Sequence, residues 1–169
     1  MTISAPQAIP SRSTDYPGRP VHIPDGDAGL TDDGSPKPAP IVAVIVTSRL
    51  GVLVARRNDG VPPWTFIAGE IEPGEDPAEA AVREVEGETG LRIRTAGVLG
   101  CRIHPDTGRE MVYLAGHPTH GTKVFVGDEQ DLAEVCWVDL VQADELMGGT
   151  IFVPVRSYLE KTLNVQDAT

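Results

Sequence analysis

Residues Gly69 to Leu91 read G-E-I-E-P-G-E-D-P-A-E-A-A-V-R-E-V-E-G-E-T-G-L. Asp76 is placed to cap a helix, Pro77 suits its first position, and Glu79 completes a D-x-x-E capping box. Gly90, able to take positive φ, ends it. Between these signals Ala78, Ala81, Val82 and Val85 recur at helical spacing and predict a core-facing stripe. The stretch holds eight acidic residues and one basic residue, so the same helix carries a dense acidic face.

At about 100° per residue, Glu84 and Glu88 lie about 40° apart on one face, position 87 falls within about 60° of Glu84, and Glu86 points about 200° away from it. Two glutamates one turn apart repel by a few tenths of a kcal/mol on a free helix, on the order of 0.3. A hard divalent cation reverses that sign, because Mg²⁺ prefers carboxylate oxygen and keeps positions for phosphate. Glu79 and Arg83 are expected to pair at i, i+4 on an adjacent face.

Gly69, Glu75, Arg83, Glu84, Val85, Glu88, Gly90 and Leu91 stand as G-x5-E-x7-R-E-U-x-x-E-x-G-U, with U apolar. This resembles the Nudix box, G-x5-E-x7-R-E-U-x-E-E-x-G-U, with one departure: Gly87 replaces the first glutamate of the E-E pair. The family often has W-x-x-P-G-G before the box; this chain has W-T-F-I-A-G, which keeps the aromatic residue and the final glycine. The resemblance implies an α/β fold, an α/β/α sandwich around a mixed β-sheet, and hydrolysis of a nucleoside diphosphate linked to another group by attack of water on phosphorus. A nucleoside triphosphate, including an oxidised one, is an example of such a substrate. The implied cofactor is Mg²⁺, with Mn²⁺ as the alternative.

On that resemblance Glu84 and Glu88, with the Gly69 carbonyl, are the expected metal ligands. Glu84, Glu88 and Arg83 form the catalytic set, Arg83 orienting a glutamate and the choice of general base staying open. Glu75 is expected to tune ligand geometry from outside the metal's own ligands. A further carboxylate is expected from the acidic loop 127–131, where Asp128, Glu129 and Asp131 compete and Glu129 is preferred. Arg57 and Arg109 occupy places resembling those that contact substrate, and Trp64 and Phe152 are candidates for stacking on a base. The second reading is a Nudix-fold nucleotide-binding or regulatory module with weak or no catalysis, motivated by Gly87.

The rest of the chain fits around this helix. At 169 residues it suits one core-bearing domain. Residues 1–40 hold eight of the fifteen prolines and read as a Pro-rich arm, flexible or docked through Tyr16, Val21, His22 and Ile23. Residues 41–165 are the expected Nudix domain. Ile41–Thr47 and Val52–Arg57 read as strands, as do Leu91–Ile103, Met111–Ala115, Val124–Val126 and Ala133–Val138. A short helix from a second capping box at Asp139 and a last helix from Pro154 complete the order.

The net charge of −11 argues against nucleic acid as a partner and requires cations for a polyphosphate to dock. No apolar run reaches the roughly 20 residues of a membrane span. Without a recognisable signal, and with Cys101 and Cys136 expected reduced, the chain is placed in the cytoplasm. His117-Pro118-Thr119-His120 lacks the further ligands a zinc site needs. A small nucleotide is the expected partner, and the arm offers a route to a homodimer.

Overall fold

The computed structural model describes residues 29–164. The proposed anchors Tyr16, Val21, His22 and Ile23 lie outside them.

The β-branched run at Ile41 forms β1 (Ile41–Ser48), and a turn at Arg49 and Leu50 leads to β2 (Gly51–Arg57). The aromatic stretch divides into β3 (Trp64–Thr65) and β4 (Ile67–Glu70). Then come α1 (Pro77–Thr89), β5 (Ile93–Ile103), β6 (Glu110–Pro118), β7 (Leu132–Val138), α2 (Leu140–Leu146) and α3 (Val153–Asn164). Alternate residues of β1 serve different cores, as period-2 geometry requires. Val42, Val44 and Val46 pack with Ala81 and Val85 of α1. Ala43 and Ile45 pack with Val155 and Leu159 of α3. Helices therefore cover both faces of a mixed sheet, the expected α/β/α arrangement.

The sheet forks at β1. On one side β1 runs parallel to β6, which pairs antiparallel with β5. On the other side its first half pairs with β4, from Ile41↔Glu70 to Val44↔Ile67. Only its end, Thr47↔Val52 and Ser48↔Gly51, pairs with β2. Strand β2 continues into its own pairings with β3 and β7. The end of β2 and the loop before β7 are thus free to meet the end of α1.

Val124–Val126 is not a strand. Its β-branched and aromatic residues favour one, but Phe125 N–H donates to Thr89 O at 3.2 Å and Gly127 N–H to Glu88 O at 2.7 Å. The backbone donors that a ladder would use are taken by the last carbonyls of α1, which have no partner inside the helix. The last helix begins at Val153 rather than Pro154. The end of the Pro-rich arm is also tied to the domain: Lys37 Nζ meets Glu110 at 2.6 Å, and Pro40 O accepts from Ile71 N–H at 2.9 Å.

Candidate active site

Helix α1 is built as its termini require. Asp76 accepts from Ala78 N–H at 2.7 Å, Glu79 accepts from Asp76 N–H at 3.3 Å, and Gly90 closes the helix with φ 68°. This corrects the expected Glu79–Arg83 pair. Glu79 is engaged in the cap, and Arg83 turns toward the strand-to-helix loop instead.

Arg83 is the hub of that loop. Its Nε and one terminal amino group donate to the two oxygens of Glu75, each at 2.8 Å. The same amino group reaches Glu70 O at 2.8 Å, and the other one donates to Glu84. The guanidinium holds the Glu75 carboxyl down to about 2, chiefly through these hydrogen bonds. A fork of donors fixed at both ends is a rigid positioning device. It joins the end of β4, the loop and Glu84 in one network.

Glu84 lies directly on Gly69. A Cβ built at Gly69 would fall 2.0 Å from the Glu84 carboxyl carbon and 2.3 Å from each oxygen. Only glycine leaves this space. One turn further on, Glu88 is raised to about 8. Burial is the main cause, followed by the charges of Glu84, Asp128 and Asp131, while Arg57 opposes them. Several carboxylates therefore converge where β4, the end of β2 and the loop before β7 approach α1.

The loop is held by Asn58, which donates through Nδ2 to the Glu129 and Gln130 carbonyls at 2.9 Å and through its backbone N–H to Asp131 O at 2.9 Å. The carboxylates whose charge reaches Glu88 are Asp128 and Asp131. Glu129, the expected ligand, is exposed and contributes its carbonyl to the Asn58 anchor. Arg57 is brought to the site: paired with Asp59 at 2.9 and 2.5 Å, it also feels Asp131 and Glu88. Arg109 faces another way. It donates to Ala39 O and, at 2.8 Å, to Glu70, clamping the arm's end to β4.

Gly87 is exposed, and a Cβ there would meet nothing within 4 Å. Its carbonyl, however, is closely approached: a Cβ on Gly127 would fall 2.1 Å from it. Among the described residues no three His, Cys, Asp or Glu side chains stand close enough to hold a metal ion by themselves. The donor set still fits a hard cation, since Glu84 and Glu88 supply carboxylate oxygen one turn apart. Mg²⁺ characteristically takes one or two carboxylates and completes its shell with water and phosphate.

The opposite face of β4 opens on a second feature. Phe66 and Ala68, flanking Ile67, line a cavity of about 370 Å³ with Trp64, Tyr113 and Phe152. Sequence reasoning singled out Trp64 and Phe152. It missed Arg102 and Glu145, which share the cavity, because β5, β6 and α2 meet there only in the folded chain. Ala68 faces this cavity and its neighbour Gly69 faces Glu84, so a single edge strand separates the two. The H-x-x-H residues serve the fold: His117 Nδ1 bonds Thr47 at 3.2 Å and His120 bonds Thr119 at 3.1 Å.

The profile of the NUDIX domain family matches residues 37–153. The chain is 36% identical over 123 residues to an octanoyltransferase of Myxococcus xanthus, a match covering 66% of this chain and 34% of that protein. It is 32% identical over 95 residues to a putative 8-oxo-dGTP diphosphatase of Bacillus subtilis, covering 56% and 62%. An RNA pyrophosphohydrolase of Pectobacterium atrosepticum is 37% identical over 70 residues, covering 41% and 38%. The chain thus spans between about a third and under two thirds of the length of these relatives. Among solved structures, the MutT protein of Methanosarcina mazei Go1 superposes with a TM-score of 0.56 at 19% identity, covering 79% of this chain and 98% of that one. An Ap4A hydrolase from C. elegans gives 0.59 at 16%, covering 76% and 99%. These two likenesses establish the fold.

Proposed function

The chain belongs to the Nudix family, and on that basis we propose that it is a metal-dependent pyrophosphohydrolase acting on a nucleoside diphosphate linked to another group. The observation that carries this reading is the seating of Glu84 on Gly69, one turn from a half-buried Glu88 and locked by Arg83. Glu84, Glu88 and the Gly69 carbonyl would hold Mg²⁺ or Mn²⁺. Bound there, such an ion would supply charge neutralisation of the diphosphate and acidification of water.

The chain's own residues do the rest. Arg83 fixes the orientation of Glu84, and Glu75 fixes Arg83. Asp128 or Asp131, rather than Glu129, is the loop carboxylate placed to assist, because their charges reach Glu88. Arg57 places positive charge beside these carboxylates, where substrate phosphate arrives. The aromatic cavity behind β4 takes the nucleoside, with its phosphates crossing the edge of β4. A small nucleotide suits this chain better than a nucleic acid, given the net charge of −11. No helix among the described residues is long and apolar enough to cross a membrane. Two free thiols suit the reducing cytoplasm.

One observation favours a second reading, a nucleotide-binding module with little turnover: at position 87 nothing replaces the family's glutamate. The deciding experiment measures phosphate and nucleotide release from nucleoside triphosphates, dinucleotides, ADP-ribose and nucleotide sugars, with Mg²⁺ and with Mn²⁺. Metal-dependent turnover that vanishes in Glu88→Gln supports the hydrolase. Ligands that raise Tm yet remain intact across the panel support the binding module.

A further inference from the structure

The cavity behind β4 holds an arginine that the fold positions but does not satisfy. The Arg102 guanidinium carbon stands 4.6 Å from the Phe152 ring centroid and 5.4 Å from that of Tyr113. Its Nε donates to the Tyr113 hydroxyl at 3.0 Å. Tyr113 and Phe152 are themselves in contact, with centroids 4.9 Å apart. Two rings and one hydrogen bond therefore fix the guanidinium. Among the described residues its terminal amino groups make no hydrogen bond or ion pair, and Arg102 is only half-exposed. The guanidinium fork is thus held in place with its terminal donors still open to the cavity, an arrangement that matches a ligand presenting two acceptors side by side.

Glu145, an exposed side chain, lines the same cavity, and no ion pair joins it to Arg102. A carboxylate there accepts two N–H groups. The remaining walls are mostly aromatic and apolar, and about 370 Å³ accommodates a planar base with its sugar. Guanine meets all of these conditions. Its O6 and N7 are adjacent acceptors that match an arginine fork, and its N1–H and N2 amine are adjacent donors that match a carboxylate. Adenine reverses the chemistry, turning an N6 amine toward the cation and an unprotonated N1 toward the anion. 8-Oxoguanine carries hydrogen on N7, which sets a donor against the guanidinium.

Resting on the hydrolase reading for the phosphate chemistry, we infer that this cavity selects an unmodified guanine base, Arg102 reading O6 and N7 and Glu145 reading N1–H and the N2 amine.

The test is calorimetric binding of GMP, AMP and 8-oxo-GMP in Mg²⁺, run beside turnover of the matching triphosphates. GMP is expected to bind roughly ten- to a hundredfold more tightly than either competitor, the range of one good bidentate base contact. Arg102→Gln should bring GMP and AMP within twofold of each other, and Glu145→Gln should weaken GMP more than AMP. Arg102→Met keeps the length of the side chain without its donors and should also lose the preference, while either variant's Tm separates base reading from a loss of folding. Equal binding of GMP and AMP to the wild type, a preference for 8-oxo-GMP, or a guanine preference that survives in Arg102→Met overturns the inference. Turnover without base preference overturns this inference and leaves the hydrolase reading standing. Guanine preference with no turnover of guanosine triphosphate, guanine dinucleotides or guanosine diphosphate sugars overturns the hydrolase reading and leaves this one standing.

Discussion

The Glu84 carboxylate occupies the place where a side chain at Gly69 would be, with its carboxyl carbon 2.0 Å from the position of a Cβ there. The glycine at the start of the box is therefore a hole shaped for the glutamate fifteen residues later. Gly69→Ala is expected to push Glu84 off the strand and cost about 1–3 kcal/mol, the usual range for overpacking. Mg²⁺-dependent stabilisation should fall with it. Thermal unfolding with and without Mg²⁺ checks both, and an unchanged Mg²⁺-induced rise in Tm would contradict the placement of the ion.

Position 87 separates stability from chemistry. The site is open and Gly87 does not take positive φ, so Gly87→Ala should stabilise the protein by up to about 1 kcal/mol through helix propensity alone. Gly87→Glu should gain somewhat less stability but raise metal-dependent hydrolysis several-fold, because a third carboxylate joins the face of Glu84. Parallel denaturant melts and initial rates distinguish the two effects. A glutamate variant no faster than the alanine variant would show that the missing carboxylate does not limit turnover.

The raised Glu88 carboxyl sets a pH dependence. Its value in the folded protein, about 8, lies above the ordinary 4.5. Its contribution to the stability of the metal-free protein is therefore complete below about pH 4.5 and is lost as pH rises through about 8. Divalent-ion binding must displace that proton, so Mg²⁺ affinity should climb by up to tenfold per pH unit below about 8 and level off above it. Titrations from about pH 6 to 9 test this, and Glu88→Gln should flatten the profile.

Arg83 is the part that a conservative change cannot replace. Lysine brings charge but no fork, so Arg83→Lys should leave Glu75 singly bonded and Glu84 loosely held. A ten- to hundredfold fall in rate is expected, by analogy with losses around other metal ligands. Glu75, held down to about 2, contributes stability that is present above its ordinary value of 4.5 and lost as pH falls toward 2. Glu75→Gln should remove that acid-side slope in a Tm-against-pH series and lower the rate alongside it.

Gly127 controls where the loop carboxylates sit. A Cβ there would lie 2.1 Å from Gly87 O, so Gly127→Ala should break the Gly127 N–H to Glu88 O bond and lift Asp128 and Asp131 away from α1. The pH profile of Mg²⁺ binding should then shift to lower pH, since two of the charges that raise Glu88 recede. Lost metal affinity with an unmoved profile would mean that the loop acts by some other route.

Much of this site is written locally. The limits of α1, its two caps, its apolar stripe and the one-turn spacing of Glu84 and Glu88 follow from residues within one or two turns of each other. Hydrogen bonding and side-chain direction in a helix are short-range, so such signals survive in a linear reading. The Glu79–Arg83 pair fails for an equally local reason: Glu79 had two candidate partners, and the capping N–H took it.

The remainder depends on segments far apart in the chain. Whether Val124–Val126 makes a strand depends on which backbone groups it meets, and it meets the exposed carbonyls at the end of α1. How the 128–131 loop is held depends on Asn58, some seventy residues earlier. Arg109 donates to Ala39, also about seventy residues distant. Arg102, Tyr113, Glu145 and Phe152 come from β5, β6, α2 and the start of α3, and no spacing rule connects them. A helix carries its glutamates in its own periodicity, whereas a cavity exists only once the sheet and the helices behind it have closed.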